Sequence, residues 1–288
     1  MYTLEQIAGI RNRIAANSLL NSIPFDENTF YARSFDEWPP VAGIDFDDLR
    51  RAAIYYLFQP LYNALHNNEV PLEKRELALS IMKSLIPMAI QYITSYYSGH
   101  PDSERYESWV VAMAPNIRKL GDVNYWKRAR NSDASISIDE VADFALSLVD
   151  RVSTDKSLIP DYIVCCACGA SEAAMLVAGI LGVDIGFVKY TQGQVKILPE
   201  HFGQVATAIN GANVAVIEEN TNTGETLLNV LAFVADHTPL VLRGYAMHRH
   251  PDKILPDQLV TLENRSYFQA YTFSSGRRRT ALHKFIFR

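Results

Sequence analysis

The sequence predicts an α/β fold, a parallel sheet with flanking helices, preceded by a mostly helical N-terminal region. Three observations carry this. From Asp161 to Asp236, short β-branched apolar runs alternate three times with runs of helical character, the pattern of β-then-α units. From Tyr2 to Val152, apolar residues recur instead at helical spacing. Apolar residues make up 48% of the 288-residue chain, enough for a large core, so disorder is not the expected state. Residues 1–150 are accordingly assigned to a helical region, for covering a site or for dimerisation, and residues 151–288 to an α/β domain.

Helices are expected over Leu4–Asn21, Asp45–Asn67, Pro71–Tyr97, Glu104–Arg130 and Ile138–Val152. Asp45 suits an N-cap, and Pro71 suits a first helical turn. Pro115 and Gly121 are expected to break the fourth helix. Ser137 stands three residues before Glu140, a capping-box spacing. The linker Ile23–Gly43 holds Pro24, Pro39 and Pro40. The longest apolar stretch, Leu77–Tyr97, contains Lys83, Pro87 and Gln91, so it reads as a buried amphipathic helix and not as a membrane span.

In the second half, Tyr162–Cys166 reads as a strand. The small loop Ala167-Cys168-Gly169-Ala170 follows, then a helix for which Ser171 is a candidate N-cap. Ile185–Val188 reads as the next strand, ending at Lys189. Thr191–Lys196 reads as a loop or hairpin with Gly193 as hinge, and Phe202–Ile209 as a helix. After a turn at Gly211–Asn213, Val214–Ile217 is a short buried strand. It is followed by the acidic pair Glu218-Glu219, the polar loop Asn220-Thr221-Asn222-Thr223-Gly224-Glu225-Thr226, and a helix over Leu227–Val234. Leu240–Leu242 and Tyr267–Phe273 are further strand candidates, and Phe285–Phe287 is expected to pack on the core.

Chemistry concentrates at two of these strand-to-helix junctions. Free N–H groups and the helix dipole favour a phosphate at the start of the helix after Thr226. An acidic pair beside such a cradle suits a ligand that also donates hydroxyls or brings a Mg²⁺. The alternative is an ordinary strand–loop–helix corner with capping threonines. At the upstream junction, Gly169 and its small neighbours let backbone amides approach an anion closely.

Ile217 to Thr226 resembles the signature of type I phosphoribosyltransferases: an apolar strand, two acidic residues, two variable residues, a small or acidic residue, then Thr-Gly-x-Thr. The resemblance implies a fold of that type in the second half of the chain. It implies that Glu218 and Glu219 bind the ribose hydroxyls of phosphoribosyl pyrophosphate (PRPP), directly or through Mg²⁺. Thr221, Asn222, Thr223, Gly224 and Thr226 would bind the 5′-phosphate, with Asn220 and Glu225 as further substrate-binding residues of the same loop. Cys168, Gly169, Ala170 and Ser171 would face the pyrophosphate, in a loop where related enzymes often hold a non-proline cis peptide, here nearest Ala167-Cys168 or Cys168-Gly169. The chain departs from the pattern twice. No Lys or Arg stands in the pyrophosphate loop, so Lys189 is the candidate cation, with a solvated strand-end lysine as the alternative. Asn222 stands where purine-specific members often carry an Asp base, and an amide cannot take a proton. The implied activity is transfer of ribose 5-phosphate from PRPP to a nitrogenous acceptor with release of pyrophosphate. A PRPP-sensing regulator without turnover, or an interaction protein, is the alternative. A homodimer is expected by the same resemblance.

The remaining features point to no second site. A net charge of −5 argues against nonspecific nucleic-acid binding, and Arg277-Arg278-Arg279 reads first as a solvated loop. No secretory leader is expected, because Met1–Leu20 is interrupted by charged and polar residues. With three cysteines, an odd number, a reducing, cytoplasmic setting is expected. Cys165 and Cys166 read as buried small hydrophobes. Cys168, near a helix N-terminus, is expected to have a lowered pKa. His248 and His250 have metal-ligand spacing but no third partner, so an exposed strand end is favoured. Trp109 with Met113, and Tyr125 with Trp126, are candidates for stacking on an acceptor.

Overall fold

The computed structural model describes residues 46–120, 138–154, 156–191, 194–197, 204–221 and 224–249. The expectations for Leu4–Asn21, the Ile23–Gly43 linker, Gly121, Tyr125, Trp126, Ser137, Gly193, Asn222, Thr223, His250 and all later residues lie outside these.

Four helices come first: α1 Phe46–Leu65, α2 Leu72–Tyr97, α3 Ser103–Leu120 and α4 Ile138–Thr154. α2 starts one residue after Pro71, which accepts the N–H groups of Lys74 and Arg75 at 3.0 Å. It is long and apolar enough to cross a membrane by length and composition. Beyond its first turn, where Leu72 and Glu73 are exposed, its exposed residues Glu76, Ser80, Lys83, Pro87 and Gln91 fall three or four positions apart and form one solvent stripe. The opposite face, including Ile81, Leu85, Tyr92 and Tyr96, is buried. The three polar or breaking residues that argued against a membrane span thus occupy the wet face of a packed helix. Pro115 lies inside α3 and does not end it, contrary to the expected break.

The second half is β1 Tyr162–Cys166, α5 Ser171–Leu181, β2 Asp184–Thr191, β3 Gln194–Ile197, α6 Gln204–Ile209, β4 Asn213–Thr221, α7 Glu225–Ala235 and β5 Val241–Arg249. The sheet order is β3-β2-β1-β4-β5. β2, β1, β4 and β5 run parallel, and β3 is an antiparallel edge strand paired with β2 through Val188↔Ile197 and Lys189↔Lys196. This is the parallel sheet with flanking helices that the sequence predicts. β4 is longer than the Val214–Ile217 run suggests: Glu218 and Glu219 extend the strand and do not begin a loop.

Three packing contacts assign the faces of the sheet. A Cβ on Gly186 would point at Val205 of α6, and one on Gly244 would point at Leu231 and Leu227 of α7. On the other face, Phe187 packs against Phe58 of α1 in a tilted arrangement with ring centroids 5.0 Å apart. Side chains alternate along a strand, and the registers Cys165↔Phe187 and Cys165↔Ile217 fix their level. Cys165, Phe187, Lys189 and Glu219 therefore belong to the face covered by α1 and α5. Cys166, Val188 and Glu218 belong to the face covered by α6 and α7. Opposite faces for α5 and α7 also follow from right-handed crossovers running outward in both directions from β1 and β4.

One hydrophobic core runs through α1, α2 and α4 into α5 and the sheet, from Phe58, Tyr62 and Tyr92 to Ile163, Leu176 and Val216. Position 150 falls within α4, whose Val141, Leu148 and Val152 belong to that core. A buried ion pair crosses the same interface. Arg51 of α1 meets Glu172 of α5 at 2.6 Å, and Tyr97 of α2 donates its hydroxyl to the same carboxylate oxygen at 2.8 Å.

Candidate functional site

The parallel strands place their carboxyl ends at one edge of the sheet, where ligands of open α/β sheets gather. β1 ends there at Cys166 and turns through Ala167–Ala170 into α5. The Ala167–Cys168 peptide is cis, as the family resemblance leads one to expect. Ala167 donates its N–H to Val188 O at 2.8 Å, which ties the loop to β2. Ser171 is the first residue of α5, and Ala170 takes the capping position without a side-chain bond, so Ser171 is not the N-cap. Its hydroxyl turns back to Cys168 O at 2.6 Å and closes the loop on itself.

The acidic pair meets this loop. An added Cβ on Gly169 would come within 1.5 Å of Glu219 Oε2, so the Glu219 side chain lies directly against the glycine. Gly169 does not have the positive φ found at Gly224 or Gly211. Its lack of a side chain provides room for Glu219, not conformational freedom. Two motifs 50 residues apart in sequence thus form one surface. Glu218 points to the opposite face, where the Cys166 thiol is hydrogen-bonded to it. Its Oε1 also accepts the Glu219 N–H at 3.2 Å. The two carboxylates therefore straddle the end of β4, one on each side of the sheet.

Lys189, at the same edge, lies on the Glu219 side. Its ammonium donates to Asn63 Oδ1 of α1, and its charge reaches the Cys168 thiol. Next to Asn63, the Tyr62 ring is fully buried, and its hydroxyl has no hydrogen-bond partner among the described residues. Burial raises the pKa of that hydroxyl, with the thiols of Cys168, Cys165 and Cys166 adding to the effect. On the Glu218 side, Tyr190 donates its hydroxyl to Glu225 Oε1 at 2.6 Å, joining the end of β2 to the first residue of α7. Gly224 caps α7 with φ 75°, a left-handed conformation that favours glycine. Thr226 is in the first turn of α7. Asn220 and Thr221 end β4, while Asn222 and Thr223, the centre of the expected phosphate loop, lie outside the described residues.

Asn63, Tyr62 and Tyr190 carry no motif and were not legible as site residues. Asn63 and Tyr62 sit in a helix read only for its periodicity, and only the tertiary fold brings them to the loop. Trp109 goes the other way. Its indole N–H donates to Ser84 of α2 at 3.1 Å, so it packs between α3 and α2 within the helical layer.

The cysteines correct one expectation. Burial raises the pKa of Cys168 to about 12, with Glu219 adding to the rise and Lys189 opposing it. The thiol is therefore neutral at physiological pH, where a lowered pKa was expected. Desolvation outweighs the helix terminus here. Cys165 and Cys166 are buried and likewise held up, mainly by desolvation. Alkylation of the native protein by iodoacetamide at pH 8 should be slower than that of free cysteine, because the raised pKa leaves little Cys168 thiolate there. A rate matching free cysteine would contradict this environment.

No group of three or more His, Cys, Asp or Glu able to hold a metal occurs among the described residues. Glu218 and Glu219 offer carboxylate oxygens at one strand end. That donor set suits a Mg²⁺ held by one or two carboxylates together with substrate phosphates, and not an all-protein cage.

No protein-family model matches the chain, and no curated protein does. Solved structures do match in part. A hypothetical protein from Neisseria gonorrhoeae with bound ppGpp is 17% identical, with a TM-score of 0.36, covering 48% of this chain and 80% of that one. A purine phosphoribosyltransferase from Pyrococcus horikoshii is 19% identical, with a TM-score of 0.35, covering 46% of this chain and 83% of that one. The hypoxanthine phosphoribosyltransferase of Trypanosoma cruzi is 13% identical, with a TM-score of 0.36, covering 48% and 79%.

Proposed function

We propose that this protein binds PRPP at the carboxyl ends of β1, β2 and β4, and transfers its ribose 5-phosphate group to a nitrogenous acceptor, releasing pyrophosphate. The observation that carries the reading is the contact of Glu219 with Gly169. It joins a ribose-type acidic pair to a small-residue anion loop, as a ligand with a pyrophosphate on the ribose requires. In this reading Glu218 and Glu219 hold the ribose hydroxyls from either side of β4. The loop Thr221–Thr226 and the first turn of α7 take the 5′-phosphate, and the amides of Cys168–Ser171 with Lys189 take the pyrophosphate. Mg²⁺, when bound with substrate, would be held by Glu218 and Glu219 and would neutralise phosphate charge. Positive charge builds on the ribose in the transition state, so carboxylates at this edge favour it over the ground state. The protein would act in the cytoplasm as a homodimer on small molecules, away from nucleic acid and membrane.

The absence of Lys and Arg from the 167–171 loop, with Asn222 in place of an acidic residue, favours a second reading, a PRPP-sensing regulator that binds without turnover. A ligand that binds only the native state stabilises it by mass action, by about 2.7 kcal/mol at a hundredfold excess over Kd. Thermal melts should therefore rise with PRPP and Mg²⁺, less with ribose 5-phosphate, and not with unrelated phosphates. A melt indifferent to saturating PRPP would remove both readings. Pyrophosphate release across a panel of purines, pyrimidines and small aromatic acceptors then separates enzyme from sensor.

A further inference from the structure

We infer that Arg51 of α1 sets the charge behind the anion loop: by pairing with Glu172 it cancels the carboxylate built into the start of α5, so that the Cys168–Ser171 loop can receive a pyrophosphate. Arg51 is a positioning residue, acting through Glu172 and touching no ligand. The inference rests on the PRPP reading above and deepens it, since it gives the helical region a part in binding that the signature motifs do not contain.

From Tyr162 to Val183 the sequence carries a single charged residue, Glu172. It is the second residue of α5, directly after the loop, and it is buried. Side chains on a helix lean back toward its N-terminus, so a carboxylate at this place stands beside the helix end and not along the helix body. Uncancelled, it would act on an anion at the loop amides in two ways. It would repel the anion through a poorly screened interior. It would also draw on the same positive end of the helix. Glu219 already brings one carboxylate against Gly169, and the loop contains no Lys or Arg. A second, uncancelled negative charge therefore works directly against a pyrophosphate there.

The helical region provides the cancelling charge. Arg51 Nη1 donates to Glu172 Oε1 at 2.6 Å, and Tyr97, the last residue of α2, donates its hydroxyl to the same oxygen at 2.8 Å. Arg51 Nη1 also reaches the Tyr97 hydroxyl at 3.5 Å, so the three side chains close a triangle. The chemistry of the two donors differs. A phenol satisfies the oxygen and leaves its charge, whereas a guanidinium satisfies the oxygen and cancels the charge as well. Hydrogen bonding alone would be met by Tyr97. Only Arg51 makes the start of α5 electrically neutral.

The test is isothermal titration at pH 8 of inorganic pyrophosphate and of ribose 5-phosphate into the full-length protein and three variants, with a melting temperature for each. Glu172→Gln keeps the shape and the acceptor oxygen and removes only the charge. Arg51→Met removes the opposite charge, and the double variant removes both. Pyrophosphate affinity should follow the local charge: about fivefold tighter in Glu172→Gln, about fivefold weaker in Arg51→Met, and as the wild type in the double variant. Ribose 5-phosphate, bound at the other loop, should be unchanged in all three. Melting temperature should follow the pairing instead, falling in both single variants and recovering in the double. A purely structural pair predicts that affinity falls with melting temperature in both single variants, so Glu172→Gln separates the two by sign. Pyrophosphate affinity at or below the wild type in Glu172→Gln, or at or above it in Arg51→Met, overturns the inference, as does an equal change for both ligands. Wild-type protein that binds ribose 5-phosphate but not pyrophosphate overturns it while leaving the 5′-phosphate site standing. Failure to bind either ligand overturns the proposed function as well.

Discussion

Replacing Arg51 with alanine is expected to destabilise the protein by about 3–5 kcal/mol, the usual cost of leaving one charge of a buried pair without its partner. For a chain of this size that is a fall in Tm on the order of 10 °C, measured by differential scanning calorimetry or by circular dichroism melts. Both side chains are nearly inaccessible, at 12% for Arg51 and 9% for Glu172. Glu172 also accepts the Tyr97 hydroxyl, and the Arg51 guanidinium lies 5.8 Å from the centre of the Tyr96 ring. The guanidinium stays charged at every accessible pH, because Glu172 and the two tyrosines hold its pKa up against the burial that would lower it. The truncation thus strands a carboxylate in a dry interface. The double change Arg51→Met with Glu172→Gln removes both charges yet keeps an acceptor for Tyr97, and it should recover most of the lost stability. Equal losses in the single and double variants would show that packing, not the stranded charge, sets the cost. The pair also links α1 and α2 to the second residue of α5, immediately after the anion loop. Its loss should therefore loosen the helical layer and the loop together.

How far the sequence discloses this arrangement depends on the range of the interaction. Local signals were enough for most of the described elements. The β-branched runs at Tyr162–Cys166 and Val214–Ile217 became adjacent parallel strands, and the apolar periodicity of Leu77–Tyr97 became a helix whose wet stripe contains Lys83, Pro87 and Gln91. Pro115 misled, because a helix packed on its neighbour tolerates a proline that an isolated one would not. Cys168 misled for a related reason. The rule that lowers a thiol pKa at a helix start assumes exposure, and tertiary burial reversed it. The candidate site was legible where its residues share a motif, as Glu218, Glu219 and Gly224 do. It was illegible where residues arrive from another layer. Asn63 and Lys189 are 126 positions apart, and no spacing rule connects them. The division of Glu218 and Glu219 between two faces does follow from strand alternation, but only once the strand is known to run through them.

Gly169→Ala is the second large effect expected, and it bears on function more than on folding. The backbone at this position does not need a glycine, so the new methyl brings no φ strain. It does bring a Cβ to within 1.5 Å of Glu219 Oε2 and 3.0 Å of Glu219 Cβ. The carboxylate end can swing away, whereas the Cβ is held by β4, so overpacking should cost about 1–3 kcal/mol. On the proposed function, the displaced carboxylate then no longer faces the ribose hydroxyls, and each hydrogen bond lost to a charged group is worth roughly 1.5–3 kcal/mol of ligand affinity. PRPP binding should fall by at least about tenfold, while the variant remains folded. Adding Glu219→Ala should return the stability, because the clash is gone, but not the affinity, because the carboxylate is gone too. That opposite response of melting temperature and PRPP affinity in one double-mutant cycle is specific to a glycine kept open for Glu219. If the double variant regains neither stability nor binding, Gly169 serves the loop for another reason. If Gly169→Ala alone binds PRPP as the wild type does, the contact between the two motifs is packing and not a ligand site.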